Sequence, residues 1–588
     1  MNTRGLTTGY YVLLLAFVVL LVYYPTLFAP FNSLDDEVFV NYLLNLNGFS
    51  ISRHFLPAGS PEYYRPLLTL SFEIDRYIGG LQEQFMHLFN VLIHTANVII
   101  IFFLARKFSY FLGRKGDIIP FLCSALFAVH PLNTEAVNWI AGRTDLLAGL
   151  GVFSALLLFL HSLSSRKLFW GGLGMLFLLA GSLCKETALF LIPGLFLILV
   201  WQPVKSAPQW PRRRVLALML AATMVGYVLL RQFGLRYDRG IAQTVEAVSD
   251  IALGKGAVDV SAVPSLLAFS KLPDASLALC KTIGFYAVKL LQPLPLNFAI
   301  HRIPNIYWVP GLLVISLIIY GLLTRRPRGV FFVLSMGIAS SALLALFSGV
   351  SWTPVAERYM YIPNGPFAIS ILFTGAIQFE RMHVRNIPGL AMVLILFLFA
   401  GASIQRNFVW QDNLTLYQDT VQKSPDFDPA KTELVRALYA KNRVEEAEEL
   451  SLVLRADETQ SSSLNRAAAL VRQGKYDEAR AFLLEEIKKH NAQERPALEM
   501  VMKITIEMVG KTDDVKLQHQ YFQDVVGWMN RVMQLSNDPF NWYRLGRIHL
   551  WLGDREQARV CFSQAARLMP QGSIYIESAQ KLVKDLSE

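Results

Sequence analysis

The chain has 588 residues, of which 53% are hydrophobic and 17% are charged, and its mean hydropathy is +0.37. Soluble globular proteins carry about a quarter charged residues, so this composition argues against an ordinary soluble protein and indicates a membrane protein. The net charge of +10 does not indicate nucleic-acid binding, because most basic residues lie in short links between apolar runs and no nucleic-acid motif is present. The four cysteines lack the spacings of a disulfide framework or a zinc site.

Long apolar runs follow one another up to about residue 405 and predict a polytopic bundle of about eleven transmembrane helices. A helix needs about 20 mostly apolar residues to cross a bilayer. The first run is too long for a signal peptide and no small-residue cleavage site follows it, so it predicts an uncleaved span. The spans are predicted near 9–29, 86–105, 118–135, 145–162, 167–184, 186–203, 213–231, 306–323, 330–349, 362–379 and 388–405.

Basic residues in the links predict the orientation of these spans. They cluster in alternate links, and such links lie on the cytoplasmic side of a membrane, here together with the N-terminus. The other, outer side then carries two long loops, 30–85 and 231–305, and the whole of 406–588. Long loops on one side of a scaffold commonly carry the functional site, so we expect the site on the outer side.

One stretch, 272–295, is open to two interpretations. As a twelfth span it would place the basic cluster at Arg325 on the outer side, against the pattern of the other links. Lys281 and Lys289 lie eight residues apart, and therefore roughly on one helix face. These observations favour a helix that lies in the membrane interface or is half-buried at the outer surface.

Beyond residue 405 the sequence is rich in Glu, Lys, Arg, Gln and Ala, and it predicts tetratricopeptide-like (TPR) helical repeats of about 34 residues. Small residues let two antiparallel helices approach, and large residues fill the space between repeats. Weaker copies surround Tyr439 and Gly474. A stack of such repeats has a concave face that suits an extended peptide or a partner helix. The last repeat is the clearest, with Trp542, Leu545, Gly546, His549, Gly553, Ala558, Phe562, Ala565 and Pro570 at the expected spacings.

Three adjacent carboxylates, Asp35, Asp36 and Glu37, directly follow the first span. Crowded carboxylates repel one another, so their presence beside the membrane needs a reason. A general base, a metal site, or a polar loop start that caps a helix beginning at Val38 would each explain them.

Further charged and polar side chains are predicted at the outer ends of spans, where a charge is costly and often functional. Individually, each is better explained as an anchor at the membrane surface or as a member of an internal ion pair than as a functional residue. Together they would place carboxylates, arginines and lysines beside the acidic loop. That arrangement suits a lipid-linked phosphate, because Arg binds phosphate oxygens in a bidentate way. The residues are Arg65, His130, Glu135, Arg143, Asp145, Lys185, Glu186, Glu357 and Arg358.

Several segments carry a family pattern in this order along the chain: LDDEVFVNYLLNLN, YYRPLLTLSFEID, HPLNTEAVNWIAGRTDLLAGL, CKETALFL, AERYMYIP, and RNFVWQDNLTLY running into the repeats. In these segments the chain resembles bacterial relatives of the transmembrane-and-TPR (TMTC) O-mannosyltransferases, which have the GT-C glycosyltransferase fold. The third segment is the most specific. The chain departs from the pattern at Asn133, where family members often have His, and in 231–305, which matches poorly apart from YAVKLLQPLPL.

The resemblance implies an inverting transfer of a sugar from a polyprenyl- or dolichyl-phosphate-linked donor to an acceptor hydroxyl on the outer side. It implies that Asp35 or Asp36 is the general base, and a positioned base contributes about 10²–10⁴-fold. The other Asp then orients the acceptor or holds a divalent cation, Mg²⁺ or Mn²⁺, which stays open because some GT-C members do without a metal. Fixed cations must balance the charge of the leaving phosphate, and the candidates are Arg65, Arg143, Lys185, Lys289 and Arg358.

The predicted fold is all-α, with a GT-C-like transmembrane domain over 1–405 and a TPR-like α-solenoid over 406–588. We expect a bacterial inner-membrane enzyme with a cytoplasmic N-terminus and a periplasmic TPR domain that presents a protein for O-glycosylation. The expected partners are the lipid-linked donor, the acceptor and membrane lipid, without nucleic acid. The alternatives are the same chemistry on a glycan or lipid acceptor, a non-catalytic membrane-anchored TPR scaffold, and a transporter.

Overall fold

The structure is a computed structural model in which the described residues form two compact units, Met1–Ser424 and Pro425–Glu588. Within the described part of the chain the secondary structure is helical, apart from an isolated β-bridge between Ile300 and Val355. This confirms the predicted all-α fold. The described residues are 3–33, 36–44, 46, 48–55, 64–114, 116–201, 210–234, 272–300, 303–324, 355–373, 387–453, 463–464, 466–468, 470–471, 473–489, 494–535, 540–569 and 574–587.

The first unit contains long apolar helices joined by short polar ones. Its α-helices are α1 Thr3–Tyr23, α2 Asp36–Leu44, α3 Ile51–Phe55, α4 Pro66–Gly79, α5 Glu83–Phe111, α6 Ile118–Ala128, α7 Thr134–Asn138, α8 Arg143–Ser165, α9 Leu168–Ser182, α10 Leu191–Trp201, α11 Trp210–Gly234, α12 Leu272–Leu291, α13 Trp308–Thr324, α14 Tyr361–Phe373, α15 Ile387–Val409 and α16 Asn413–Lys423.

Among the described residues, five helical segments are long and apolar enough to cross a membrane, and each coincides with a predicted span. The chain is therefore a multi-pass membrane protein. The five segments are Thr8–Phe28, Glu83–Phe111, Arg143–Ser165, Arg212–Phe233 and Leu390–Val409.

Shorter apolar helices occupy four further predicted spans. The predicted span at 330–349 lies outside the described residues, and that at 362–379 is described only as far as Phe373. The number of eleven spans thus stays a prediction. The shorter helices are Ile118–Ala128, Leu168–Ser182, Glu186–Leu199 and Asn305–Gly321.

The core of the first unit lies around α5 and α8, which bury apolar side chains along most of their length. Helix α9 packs closely on α8 where Gly151 faces Gly181, since a Cβ added at Gly151 would lie 2.6 Å from the Cα of Gly181. Small residues at such contacts are typical of membrane helices, because they let the backbones approach.

Helix α12 covers the stretch whose membrane placement is open. It packs on α13 and the turn before it, since a Cβ at Gly284 would lie 2.0 Å from the carbonyl oxygen of Tyr307, and one at Gly311 would lie 2.0 Å from that of Cys280. Phe285, Tyr286 and Leu290 of α12 are buried in a cluster that also contains Val355. Whether α12 crosses the membrane or lies in its interface stays a prediction.

The first unit extends to Ser424 rather than to the predicted boundary at residue 405. The reason is α16, whose side chains bond to both outer loops. Asn413 donates to the carbonyl of Phe31 at 3.3 Å, and Lys423 donates to the carbonyl of Leu296 at 2.7 Å. These bonds join α16 to the membrane bundle.

The second unit consists of paired helices, as the repeat pattern predicts. In the last pair, Phe562 packs on Gly546, where an added Cβ would lie 2.9 Å from the ring. Ala558 and Ala565 are also fully buried in this pair. The helices are α17 Asp428–Ala440, α18 Val444–Val453, α19 Tyr476–Lys488, α20 Glu494–Val509, α21 Val515–Leu535, α22 Phe540–Trp551, α23 Arg555–Leu568 and α24 Ile574–Ser587.

Candidate functional site

Asp36 is the first residue of α2, and its carboxylate joins two distant parts of the chain. Its Oδ1 accepts the backbone N–H of Ala141 at 2.9 Å, and its Oδ2 accepts the backbone N–H of Asn32 at 2.9 Å. Asp36 is only 1% exposed. The neighbouring Asp35 lies outside the described residues, as does the side chain of Glu37.

The turn that bonds to Asp36 lies between α7 and α8 and needs a glycine. A Cβ at Gly142 would lie 2.6 Å from the carbonyl oxygen of Ala136, too close for any other residue without a backbone shift. Asn90 of α5 holds the same turn by donating to the carbonyl of Trp139 at 3.0 Å. The turn is thus fixed from both sides, and it holds the Asp36 carboxylate at a defined position.

Each of the five cations predicted to bind the donor phosphate forms an ion pair with a carboxylate. Pairing allows buried charges to persist, because it offsets part of the cost of removing them from water. A phosphate that binds one of these cations must therefore compete with its carboxylate. The pairs are Arg65–Glu186 at 2.8 Å, Arg143–Asp75 at 2.6 Å, Lys185–Asp145 at 2.7 Å, Lys289–Glu357 at 3.0 Å and Arg358–Glu135 at 2.5 Å.

Three of the family segments meet around the aromatic ring of Tyr359. The Nζ of Lys185 lies 5.2 Å from the ring centroid, and the guanidinium carbon of Arg358 lies 5.0 Å from it. Glu135 accepts two hydrogen bonds from Arg358, one from its backbone N–H at 3.0 Å and one from its guanidinium. Two of the ion pairs therefore lie near each other, and their carboxylates, Glu135 and Asp145, flank the turn that also holds Asp36.

Arg143 is fully buried, and its donors are distributed over backbone and side-chain acceptors. Its Nε donates to Asn90 at 2.8 Å and its Nη2 to the carbonyl of Met86 at 2.9 Å. The guanidinium also stacks over Phe72, 4.5 Å from the ring centroid. These contacts show a structural function in joining α4, α5 and α8, and the predicted phosphate contact of Arg143 stays a prediction.

Asp75, the partner of Arg143, was not among the residues predicted to form the site. Burial raises the pKa of Asp75 from its ordinary value of 3.8 to about 6, although the charge of Arg143 opposes the shift. A signal was present in the sequence. Asp75 follows Leu68 by seven residues and Phe72 by three, so it lies on the buried face of an amphipathic helix, where a carboxylate needs a partner.

Lys289 and Glu357 extend the site toward α12. Lys289 also contacts the carbonyl oxygens of Pro293 and Pro295, and the Oε1 of Glu357 accepts the N–H of Asn297 at 3.0 Å. Burial raises the pKa of Glu357, against the opposing charge of Lys289. The pair anchors the loop after α12 next to Arg358.

Arg65 and Glu186 form the most accessible of the five pairs. Their side chains are 20% and 19% exposed, whereas those of the other four pairs are at most 10% exposed. Glu186 directly follows Lys185 in the chain, so this pair borders the cluster around Tyr359. Exchange of a carboxylate for a ligand would therefore need the least desolvation at Arg65.

His130 was predicted as a candidate site residue, and both of its ring nitrogens have protein partners. Nε2 lies 3.0 Å from the carbonyl oxygen of Leu290, to which it donates, and Nδ1 accepts the N–H of Leu132 at 3.3 Å. The ring is fully buried. Its contacts hold the end of α12 against the turn after α6, so His130 has a structural function beside the site.

Within the described ranges, no group of three His, Cys, Asp or Glu side chains is placed to hold a metal ion. The two oxygens of Asp36 accept backbone N–H groups, and Asp35 lies outside those ranges. The hypothesis that Asp35 and Asp36 bind Mg²⁺ or Mn²⁺ therefore stays a prediction, and no chemical step is assigned to a metal.

Comparisons with known proteins find relatives of this chain. The chain is 37% identical over 134 residues to the protein O-mannosyl-transferase Tmtc1 of Drosophila melanogaster, and 41% identical over 109 residues to TMTC2 of Homo sapiens. It is 24% identical over 385 residues to the protein O-mannosyl-transferase F38B6.6 of Caenorhabditis elegans. The chain is a relative of the TMTC protein O-mannosyl-transferases. This confirms the resemblance seen in the motifs, while the bacterial origin stays a prediction.

The matches cover only part of each relative. They span 22%, 18% and 63% of this chain, and 15%, 12% and 50% of the fly, human and worm proteins respectively. A family model described as tetratricopeptide repeat matches residues 539–571, which confirms the clearest predicted repeat of this TMTC relative. No solved structure matches the chain.

Proposed function

We propose that the protein is an inverting membrane glycosyltransferase of GT-C type that moves a sugar from a polyprenyl-phosphate-linked donor to a protein hydroxyl. The observation that supports it most is the convergence of Asp36, the turn at Trp139–Gly142, Lys185 and Arg358 from four separate segments. The names of the relatives support O-mannosylation as the reaction class.

Asp35 is the proposed general base, and Asp36 the proposed positioning residue. Each carboxylate oxygen of Asp36 accepts a backbone N–H, and hydrogen bonds to the charged form weaken a carboxylate as a base. Asp36 instead holds the start of α2 against the turn at Ala141, and Asp35 is the residue that directly precedes it in the chain. The base removes the proton of the acceptor hydroxyl as that oxygen attacks the anomeric carbon.

The leaving phosphate binds where a cation is easiest to release from its carboxylate. Arg65 meets this condition because its pair with Glu186 is partly exposed. Lys185 and Arg358 lie around Tyr359 and are each paired with a carboxylate, so they balance the phosphate charge only as those carboxylates are displaced. No general acid is needed, since a lipid phosphate is already a good leaving group.

The proposed setting is a bacterial inner membrane, with a cytoplasmic N-terminus and a periplasmic outer side. The alternation of basic links supports this orientation. The TPR unit is proposed to bind the acceptor protein, because stacked helix pairs suit extended peptides.

Single and double substitutions of the acidic pair test the proposal. Full-length protein is reconstituted with a polyprenyl-phosphate sugar, mannose first, and sugar incorporation into periplasmic proteins is measured alongside thermal unfolding. Asp35→Asn should reduce transfer about 10²–10⁴-fold with the unfolding temperature unchanged. Asp36→Asn should reduce both, because its amide N–H₂ would face a backbone N–H, at a cost of about 1–3 kcal/mol.

A folded double variant that transfers sugar at the wild-type rate would contradict the proposal. Mass spectrometry of the products separates the acceptor classes. If the sugar is found on a glycan or lipid and none is found on protein, the acceptor is a glycan or lipid rather than a protein.

A further inference from the structure

A groove of about 390 Å³ lies between the ends of α5, α8 and the start of α9. Its polar lining consists of Arg106, Lys107 and His161, and its aromatic lining includes Phe103, Tyr110 and Trp170. The volume lies within the range of small-molecule sites. By contrast, the cleft beside Arg166 encloses only about 20 Å³, which leaves little more than the room of a water molecule.

The groove lies far from the cluster around Asp36, at the other ends of the same helices. Lys107 follows Asn90 by 17 residues in α5, and His161 follows Arg143 by 18 in α8. At 1.5 Å per residue, both separations are about 26 Å. The hydrocarbon core of a bilayer is about 30 Å thick, so the groove lies at the membrane surface opposite the candidate active site.

Lys107 gives the groove a positive charge that no described carboxylate balances. Arg106 pairs with Asp117 at 2.9 Å, and the other oxygen of Asp117 accepts the hydroxyl of Thr8 at 2.8 Å. The Nζ of Lys107 instead donates to the hydroxyl of Ser164 at 2.8 Å and lies 3.4 Å from the Nδ1 of His161. An ammonium held by neutral partners can accept an anion without displacing a carboxylate, unlike the five paired cations of the candidate active site.

The remaining walls of the groove suit lipid chains. Tyr110 is 50% exposed and Phe103 is 37% exposed, and both lie on α5 beside the basic pair. The ring of Trp170 packs edge-on against His161, with centroids 5.1 Å apart. Tyr and Trp prefer the membrane–water boundary, where one part of the ring is wet and the other apolar.

We infer that this groove binds the phosphate of an anionic membrane lipid, with Lys107 and His161 as the phosphate-facing groups and the aromatic wall against its acyl chains. Basic pockets between membrane helices near the surface are known to suit anionic headgroups. The inference does not depend on the proposed transfer reaction, because the groove shares no residue with the candidate active site.

Lipid retention by the purified full-length protein tests the inference. Native mass spectrometry counts bound phosphatidylglycerol and phosphatidylcholine for the wild type, Lys107→Gln and Lys167→Gln. Lys167 is a matched control, since it is an exposed lysine at the same end of α8 that does not line the groove. The wild type and Lys167→Gln should retain phosphatidylglycerol over phosphatidylcholine, and Lys107→Gln should retain about fivefold less phosphatidylglycerol.

Equal retention of the two lipids by the wild type would overturn the inference, as would equal loss in the two variants. A third arm adds inorganic phosphate. Retention of phosphatidylglycerol at millimolar phosphate supports recognition of a lipid, whereas complete displacement would show that the groove binds phosphate alone and overturn the assignment to lipid.

Discussion

The buried ion pairs show at the residue scale how this protein keeps charges beside a membrane. Arg143 and Asp75 are both fully buried and 2.6 Å apart. The guanidinium also donates to Asn90 and to the carbonyl of Met86, and these hydrogen bonds offset part of the free-energy cost of removing it from water. Asp75 has fewer partners, and burial is the larger influence on its pKa.

Asp75 should make the stability of the wild type depend on pH. Because its pKa is about 6 in the folded protein and 3.8 ordinarily, the folded state holds the proton more tightly between these values. The stabilisation that protonated Asp75 gives the folded state is fully present below about pH 4 and is lost as the pH rises through 6. It amounts to at most about 3 kcal/mol. Unfolding temperatures of the wild type and Asp75→Asn, measured from pH 4 to 7, should show the wild type losing stability relative to the variant. A relative gain by the wild type over this range would show that Arg143 outweighs burial.

Helix α16 shows at the element scale how a segment remote in sequence supports the acidic loop. The hydroxyl of Tyr417 lies 3.3 Å from that of Ser33 and 3.4 Å from the Oδ1 of Asn32, whose backbone N–H bonds to Asp36. Asn413 accepts the N–H of Ser33 at 3.4 Å. The family segment RNFVWQDNLTLY is thus tied to the loop that carries the proposed base.

Removing the Tyr417 hydroxyl should therefore lower the transfer rate as well as the stability. Tyr417→Phe should reduce kcat about tenfold or more, because small displacements of a base are costly, while KM for the donor stays unchanged. The loss in stability should be about 1–2 kcal/mol. Thr420→Val is the control, because among the described residues the Thr420 hydroxyl bonds within α16, to the carbonyl of Leu416 at 2.7 Å. Equal kcat losses in the two variants would mean that α16 acts through general stability alone.

The whole molecule combines a multi-pass membrane unit with a repeat unit that has its own core. The repeat unit buries its apolar side chains between successive helices, as in other repeat proteins. Its contribution to the proposed reaction should therefore be separable from the chemistry.

Overpacking the last repeat tests this separation. Gly546→Leu would drive a side chain into the ring of Phe562 and should destabilise the repeat by about 1–3 kcal/mol. Gly527→Leu is the control, because no described atom lies within 4 Å of a Cβ added there. Transfer to protein acceptors should fall only in the Gly546 variant, while hydrolysis of the donor by water stays at the wild-type rate. Loss of both activities in that variant alone would contradict a role limited to the acceptor.

The sequence by itself determined the features that depend on local composition. A run of apolar residues crosses a membrane wherever it lies in the chain, so five predicted spans coincide with long apolar helices. The last repeat was equally readable, because its small and large residues recur at short fixed spacings. The family segments also pointed to Asp36, Glu135, Lys185 and Arg358 before their positions were known.

Only the tertiary structure decided which charges pair. Arg358 and Glu135 are 223 residues apart in sequence, and Arg65 and Glu186 are 121 residues apart. Partners at such separations leave no periodic signal, so the buried helix face that carries Asp75 indicates that this carboxylate needs a partner but not that the partner is Arg143. The tertiary structure also decided that both oxygens of Asp36 accept backbone N–H groups. A hydrogen bond depends on distances of about 3 Å, and it is the packing of the helices that brings such distant residues this close.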